Sequence, residues 1–392
     1  MKNEKSVRHA SFKELVLAIR LRGVSFIKKN VVMVIALCLA IITAFIVPPT
    51  KVNYLSYFDF KTLSCLFTTL AVICALKNIK FFYIIARKIV SIFKTTKICV
   101  LVLVYITFIG SMLLANDMAL LTFLPLGFFV LSSTGKEKYM PFTFIMQNIA
   151  ANLGGMLTPF GNPQNLYIYS HFDIDTLEFM GIMLPSFILS VTLITICCLV
   201  FVKSEPLQIN NETVKLPIAR TVIYLLLFAL SIIVIFRLIP YQIALIVVPL
   251  VILFMDRRAL LKVDYPLLLT FVFFFIFSGN MANIPQVREF FSWLLGINTL
   301  LFSTLSCQVI SNVPSAILLS QFTTDNYPSL LIGVNIGGVG TLISSLASLI
   351  TLREYINHNP KGTKKYILLF TLFNFGFLII LLGFNLLWSL IF

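Results

Sequence analysis

Residues 151–165 read ANLGGMLTPFGNPQN, and residues 334–348 read VNIGGVGTLISSLAS. Placing Asn152 on Asn335 also places Gly154-Gly155 on Gly337-Gly338 and Thr158 on Thr341. Upstream of each stretch lies an apolar segment interrupted by a polar pair, Asn116-Asp117 in the first half and Ser311-Asn312 in the second. An ordinary membrane span has no use for so many Gly, Asn and Thr residues. Their recurrence in the same order, in two halves of one hydrophobic chain, is the pattern expected of a transporter built from two repeats.

Composition sets the frame. The 392 residues are 59% hydrophobic and only 11% charged, with a mean hydropathy of +0.99; a soluble domain carries about 25% charged residues. Several runs of about 17–25 apolar residues can each cross a hydrocarbon layer of roughly 30 Å. The expected fold is an all-α polytopic membrane protein with about ten to eleven membrane-embedded segments. The formal charge of +15 would suggest nucleic acid in a soluble protein. Here the basic residues sit in loops, so they are read as orientation signals, with no nucleic-acid partner. The seven cysteines are single within apolar spans, apart from Cys197-Cys198. His9, His171 and His358 fall in tails or loops. No spacing suits a metal.

Read along the chain, residues 1–30 form a basic tail without a signal-peptide cleavage pattern. Spans follow at about 31–49 and 58–76, then an amphipathic stretch at 77–97. Residues 98–133 are apolar, broken at Asn116-Asp117 and flanked by lysines on both sides, so they form a hairpin with the polar pair near its tip. A broken span covers 140–170 and a whole one 179–202. Residues 203–216 are a polar linker, and a connecting span covers 217–236. The pattern then recurs: spans near 240–255 and 264–280, an amphipathic piece at 285–295, a hairpin at 297–323, a broken span at 328–350 and a final span at 366–391. The predicted organisation is a tail (1–30), a first repeat (31–202), a linker with connecting span (203–239) and a second repeat (240–392).

With the N-terminus cytoplasmic, all but four of the 30 lysines and arginines fall on the cytoplasmic side, in 1–30, 77–97, 136–138, 203–220, 257–262 and 353–365. Lys51, Lys61, Arg237 and Arg288 lie outside. A single wrong span would scramble this bias. The same topology puts the two hairpins on opposite sides, so the repeats are expected to be inverted.

The interrupted segments are where chemistry is expected. An unpaired backbone group in lipid costs several kcal/mol, so a helix that breaks in mid-membrane must be buried or line a wet cavity. Pro159 and Pro163 remove donors, and Gly154, Gly155 and Gly161 permit unwinding. A break exposes carbonyls suited to a small cation such as sodium, and amides suited to an anion. The candidate substrate- and ion-binding residues are Asn116, Asp117, Asn152, Thr158, Gly161, Asn162 and Asn165 in the first half. The second half offers Ser311, Asn312, Asn335, Thr341, Ser344 and Ser345. Asp117 is the acid set well inside an apolar segment, as a coupling residue or as a cap of the turn. No Arg, Lys or His lies within a span at this level.

At these residues the chain resembles the ion transporter superfamily. That group includes citrate and divalent-anion symporters, the membrane subunit of arsenite efflux and D-type sodium/proton antiporters. The segment LTPFGNPQN (157–165) is most similar to the permease branch grouped with the arsenite-efflux subunit. Over about residues 30–392 the resemblance implies a scaffold, a mobile transport domain holding both hairpins, coupling to sodium or protons, and often a homodimer. It matches Asn116 and Asn312 to the hairpin-tip asparagines, Thr158, Gly161 and Asn162 to the first unwound loop, and Thr341 and Ser344 to the second. Dicarboxylate symporters carry Ser-Asn-Thr at the tips, whereas this chain reads Ala115-Asn116-Asp117 and Ser311-Asn312-Val313.

The expected function is secondary active transport of a small anion, an inorganic oxyanion or a carboxylate, across the cytoplasmic (inner) membrane. Its partners would be sodium or protons, lipid and a second copy of the chain; no cofactor is expected beyond a bound sodium. A sodium/proton antiporter and an arsenite-type efflux permease are the alternatives. An intramembrane enzyme is disfavoured by the absence of HExxH, GxGD and a Ser/His pair within spans. An aquaporin-like channel is disfavoured because the second Asn-Pro, Asn359-Pro360, sits in a basic loop.

Overall fold

The computed structural model describes residues 30–50, 52–207 and 216–391. The expected N-terminal tail, apart from Asn30, lies outside the described residues, as does the middle of the linker. Sixteen α-helices are described in chain order: α1 (Val31–Ile46), α2 (Phe60–Asn78), α3 (Phe81–Val90), α4 (Thr96–Leu114), α5 (Asn116–Ser133), α6 (Met140–Gly154), α7 (Pro163–His171), α8 (Thr176–Phe201), α9 (Ile218–Ile235), α10 (Tyr241–Leu261), α11 (Tyr265–Ala282), α12 (Pro285–Ile310), α13 (Asn312–Leu319), α14 (Tyr327–Ile336), α15 (Leu346–His358) and α16 (Thr363–Ile391). Among the described residues, eight helices are long and apolar enough to cross a membrane. The 26-residue α8 is about 39 Å long at ~1.5 Å per residue, enough to span with tilt. Its Leu184, Ile188, Ile196 and Val200 are exposed, as a lipid-facing stripe must be. The protein is an all-α, multi-pass membrane protein.

The described chain forms two compact units. In the first, made of residues up to 58 together with 264–283, α1 packs along α11. The buried Asn280 amide of α11 donates to Thr43 Oγ1 (3.3 Å) and Tyr54 OH (3.0 Å). Tyr54 OH in turn donates to the Val47 carbonyl at 2.6 Å. This chain of polar contacts ties Val47 and Tyr54, after α1, to α11.

The second unit holds residues 59–263 and 284 onward. Here α2 packs along α10. Helices α4 and α5 fold back on each other as the expected hairpin, with Gly110 against the ring of Phe123. Both feet of that hairpin meet one segment. Glu205 takes ion pairs from Lys136 and Lys138, each at 2.6 Å, and a hydrogen bond from Tyr139 OH at 2.9 Å. The Thr96 amide donates to the Glu205 carbonyl, and the Leu207 amide donates to the Lys94 carbonyl, both at 2.8 Å.

Some boundaries differ from the sequence expectation. The amphipathic stretch 77–97 divides, because α2 runs on to Asn78 and only α3 forms a separate helix. The second amphipathic piece and the outgoing arm of the second hairpin are one helix, α12, bent at Asn298 (φ −164°, ψ 99°). Asn298 Oδ1 accepts from the Leu301 amide at 2.8 Å and restarts the helix there. Likewise α10 continues to Leu261 across a bend at Asp256, whose carboxylate accepts from Asn78 Nδ2 at 2.8 Å.

Candidate functional site

Both hairpins turn on a single residue. Ala115 (φ 66°, ψ 151°) and Ser311 (φ 75°, ψ 159°) each occupy backbone space that favours glycine, a conformation that costs about 1–3 kcal/mol. Each is followed by an asparagine whose Oδ1 accepts the next amide: Asn116 from Asp117 at 3.0 Å, Asn312 from Val313 at 2.9 Å. The two tips are thus built alike, although their third residues differ.

Both broken spans are discontinuous. In the first, α6 ends at Gly154, a 3-10 turn covers Gly155–Leu157, the chain runs extended through Thr158, and α7 restarts at Pro163 with Asn162 as N-cap. A Cβ on Gly161 would lie 2.3 Å from the Gly155 carbonyl, so this loop closes only with glycine at that contact. In the second, α14 ends at Ile336 and α15 restarts at Leu346 with Ser345 as N-cap. Asn162 and Ser345 share the same extended backbone (φ −137°, ψ 146° and φ −149°, ψ 144°).

Side chains satisfy the backbone these breaks expose. Asn165 Nδ2 donates to the carbonyls of Gly155, Met156 and Thr158 at 3.0–3.3 Å. Thr158 Oγ1 donates to the Met112 carbonyl of α4 at 3.1 Å. Thr341 Oγ1 donates to the Gln308 carbonyl of α12 at 3.0 Å. Ser344 Oγ donates to the carbonyls of Gly338 and Thr341 at 2.9 and 2.8 Å. The Asn312 amide and the Ser311 hydroxyl both donate to the Ser344 carbonyl, at 2.9 and 3.3 Å.

The two breaks and the two tips meet. Asn116 Nδ2 donates to Asn152 Oδ1 at 3.2 Å and lies 3.5 Å from Ser345 Oγ. Asn162 Nδ2 donates to the Asn152 carbonyl at 3.3 Å and to Asn335 Oδ1 at 3.4 Å. Asn335 Nδ2 donates to Asn165 Oδ1 at 2.6 Å. A Cβ on Gly338 would sit 3.1 Å from Asn312 Nδ2 and 3.4 Å from Asn152 Oδ1. All thirteen residues singled out in the sequence therefore gather in one region of the second unit. Most are fully buried; Asp117, Thr158, Ser311 and Thr341 are half-buried. Asn162 Oδ1 and Gln164 Oε1 are buried acceptors without a hydrogen-bond donor. Such oxygens suit a cation or a donating ligand.

Sequence reasoning missed a second layer. Asn148 Nδ2 donates to Ser348 Oγ and to Asn374 Oδ1, both at 3.3 Å, and its Oδ1 accepts from Thr351 Oγ1 at 3.4 Å. These side chains tie α6, α15 and α16 together behind the breaks. Asn148 lies one turn before Asn152, and Ser348 one turn after Ser345. That spacing is the signal that could have found them; Asn374 has none.

With this geometry in view, the comparisons decide the kinship. The family described as "Citrate transporter" matches residues 15–325. The chain belongs to that family. An uncharacterized transporter of Methanocaldococcus jannaschii is 33% identical over 297 residues, covering 75% of this chain and 81% of that protein. The inner membrane protein YbiR of Escherichia coli is 29% identical over 327 residues, covering 79% and 84%. As a member of the citrate transporter family, this chain is a multi-pass membrane transporter rather than an enzyme.

Proposed function

We propose that the chain is a secondary active transporter that moves a small anion, an inorganic oxyanion or a carboxylate, by alternating access coupled to sodium or protons. The observation that carries this reading is the meeting of both helix breaks and both hairpin tips in one buried cluster of Asn, Ser and Thr side chains. The amide ends of α7 and α15 offer partial positive charge to an anion. The carbonyl ends of α6 and α14, with Asn162 Oδ1, offer oxygen ligands to sodium. No Lys, Arg or His stands among the thirteen residues, so co-bound cations or protons would neutralise the substrate's charge. We read residues 31–202 and 240–392 as inverted repeats joined through 203–239; the matched tips, N-caps and Thr–carbonyl contacts support this. The charge distribution supports a cytoplasmic N-terminus and the cytoplasmic membrane; lipid around the spans and a homodimer as the assembly complete the proposal.

Asp117 favours one second reading. It is an acid at the first tip, on the first turn of α5, where the second tip has Val313. If it is the exchanging carboxylate, the protein is a sodium/proton antiporter; an arsenite-type metalloid efflux permease is the separate alternative. A thermal-shift screen of purified protein against carboxylates and oxyanions, with and without sodium and at two pH values, tests the primary reading. An anion that stabilises only together with sodium, or only at the lower pH, supports it. Cation-dependent stabilisation with no responsive anion, abolished by Asp117→Asn, would replace it with antiport.

A further inference from the structure

The two breaks are held in place differently. Gln308 lies one turn before the tip of the second hairpin, and its side chain reaches into the second break. Its Nε2 donates to the Gly337 carbonyl at 2.9 Å and the Val339 carbonyl at 3.2 Å, and its Oε1 accepts the Thr341 amide at 2.8 Å. Gly340 accommodates this brace, with φ 129° and no side chain, since a Cβ there would lie 2.2 Å from Gln308 Oε1. The register of the first half is fixed by Thr158 on the Met112 carbonyl, as Thr341 sits on the Gln308 carbonyl. Met112 therefore stands where Gln308 stands, and a thioether can donate no hydrogen bond. The first break draws its support from Asn165, on its own downstream half-helix.

We propose that Gln308 is a positioning residue that fixes the second break to the second hairpin, so that the two move as one piece. The first half has no hairpin side chain bracing the loop in this way; its hairpin is held to α6 instead by Gln147, whose Nε2 donates to Thr107 Oγ1 at 2.9 Å and to the Phe123 carbonyl at 3.2 Å. The proposal rests on the reading that the two breaks form the transport site, but the brace is measurable without any substrate.

The test is hydrogen exchange by mass spectrometry on the full chain in lipid nanodiscs, with no ligand added. The Thr341 amide is the reporter, because its acceptor is the Gln308 side chain itself. In Gln308→Ala, exchange across 338–345 should rise about tenfold or more, while 155–162 and α8 stay within about twofold of the parent protein. In Gln308→Glu, a carboxylate oxygen can accept from Thr341 but cannot donate to the Gly337 and Val339 carbonyls and repels them, so exchange across 338–345 should stay raised. The proposal is overturned if 338–345 is unchanged in the alanine variant, if 155–162 rises equally, or if the glutamate variant keeps the parent's full protection. A failure of the anion screen would leave all of these outcomes readable.

Discussion

Ala115 and Ser311 are side-chain-bearing residues in glycine's backbone space, at matching places in two hairpins. Relief of such strain is worth about 1–3 kcal/mol, against about 0.5–1 kcal/mol lost to the extra freedom of glycine in the unfolded chain. Ala115→Gly should therefore raise the thermal midpoint in detergent, by the equivalent of about 0.5–2 kcal/mol. A lowered midpoint would mean that the Ala115 side chain contributes packing that outweighs its strain. These tips were legible as polar interruptions of apolar runs. Their strain was not, because nothing in Ala-Asn-Asp or Ser-Asn-Val announces a positive φ. Gln308 was equally hidden: its importance comes from carbonyls about 30 positions away, which only the fold brings to it.

Among the elements, the broken helices were the most readable, since Gly, Pro and Asn at these spacings have no place in a continuous span. The structure adds what closes each break. At Gly161 a methyl group would meet the Gly155 carbonyl, and overpacking of this kind costs about 1–3 kcal/mol. Gly161→Ala should lower the thermal midpoint and abolish transport. Gly376→Ala in α16 is the control: no atom lies near its Cβ position, so it should be neutral or mildly stabilising. Thermal scanning of the two variants side by side checks the pair.

The base of the first hairpin carries a pH signature. Lys136, Lys138 and Tyr139 hold the Glu205 carboxyl down at about 2, from an ordinary value of 4.5. A depressed carboxyl contributes stability that is complete above about 4.5 and is lost as the pH falls toward 2. Melting curves of the parent protein should decline over that window more steeply than those of Glu205→Gln, which starts lower at neutral pH. Parallel curves for the two proteins would remove Glu205 as the fastening. Charge counting marked this linker as cytoplasmic, but the clustering of both hairpin feet on one residue emerged only from the fold.

At the level of the whole molecule, the order of elements was readable and their partners were not. Within the first unit, α1 lies on α11; within the second, α2 lies on α10. In each case an early helix of the first half packs on an early helix of the second. Apolar runs of similar length carry no address, so hydropathy could not choose among such pairings. Asn148 and Asn374 make the same point: they are 226 positions apart and hydrogen-bonded.

That interlocking means the covalent link between the halves need not be what holds them together. Glu205 and Leu207 are already fastened to first-half residues, so a chain cut between residues 208 and 215 keeps the fastening on the amino-terminal fragment. Two fragments produced in the same cell from separate messages should find each other in the bilayer and co-purify through a tag on either one. Fragments that insert but never associate would show that continuity of the chain, and not the crossed helix pairs, is what assembles this protein.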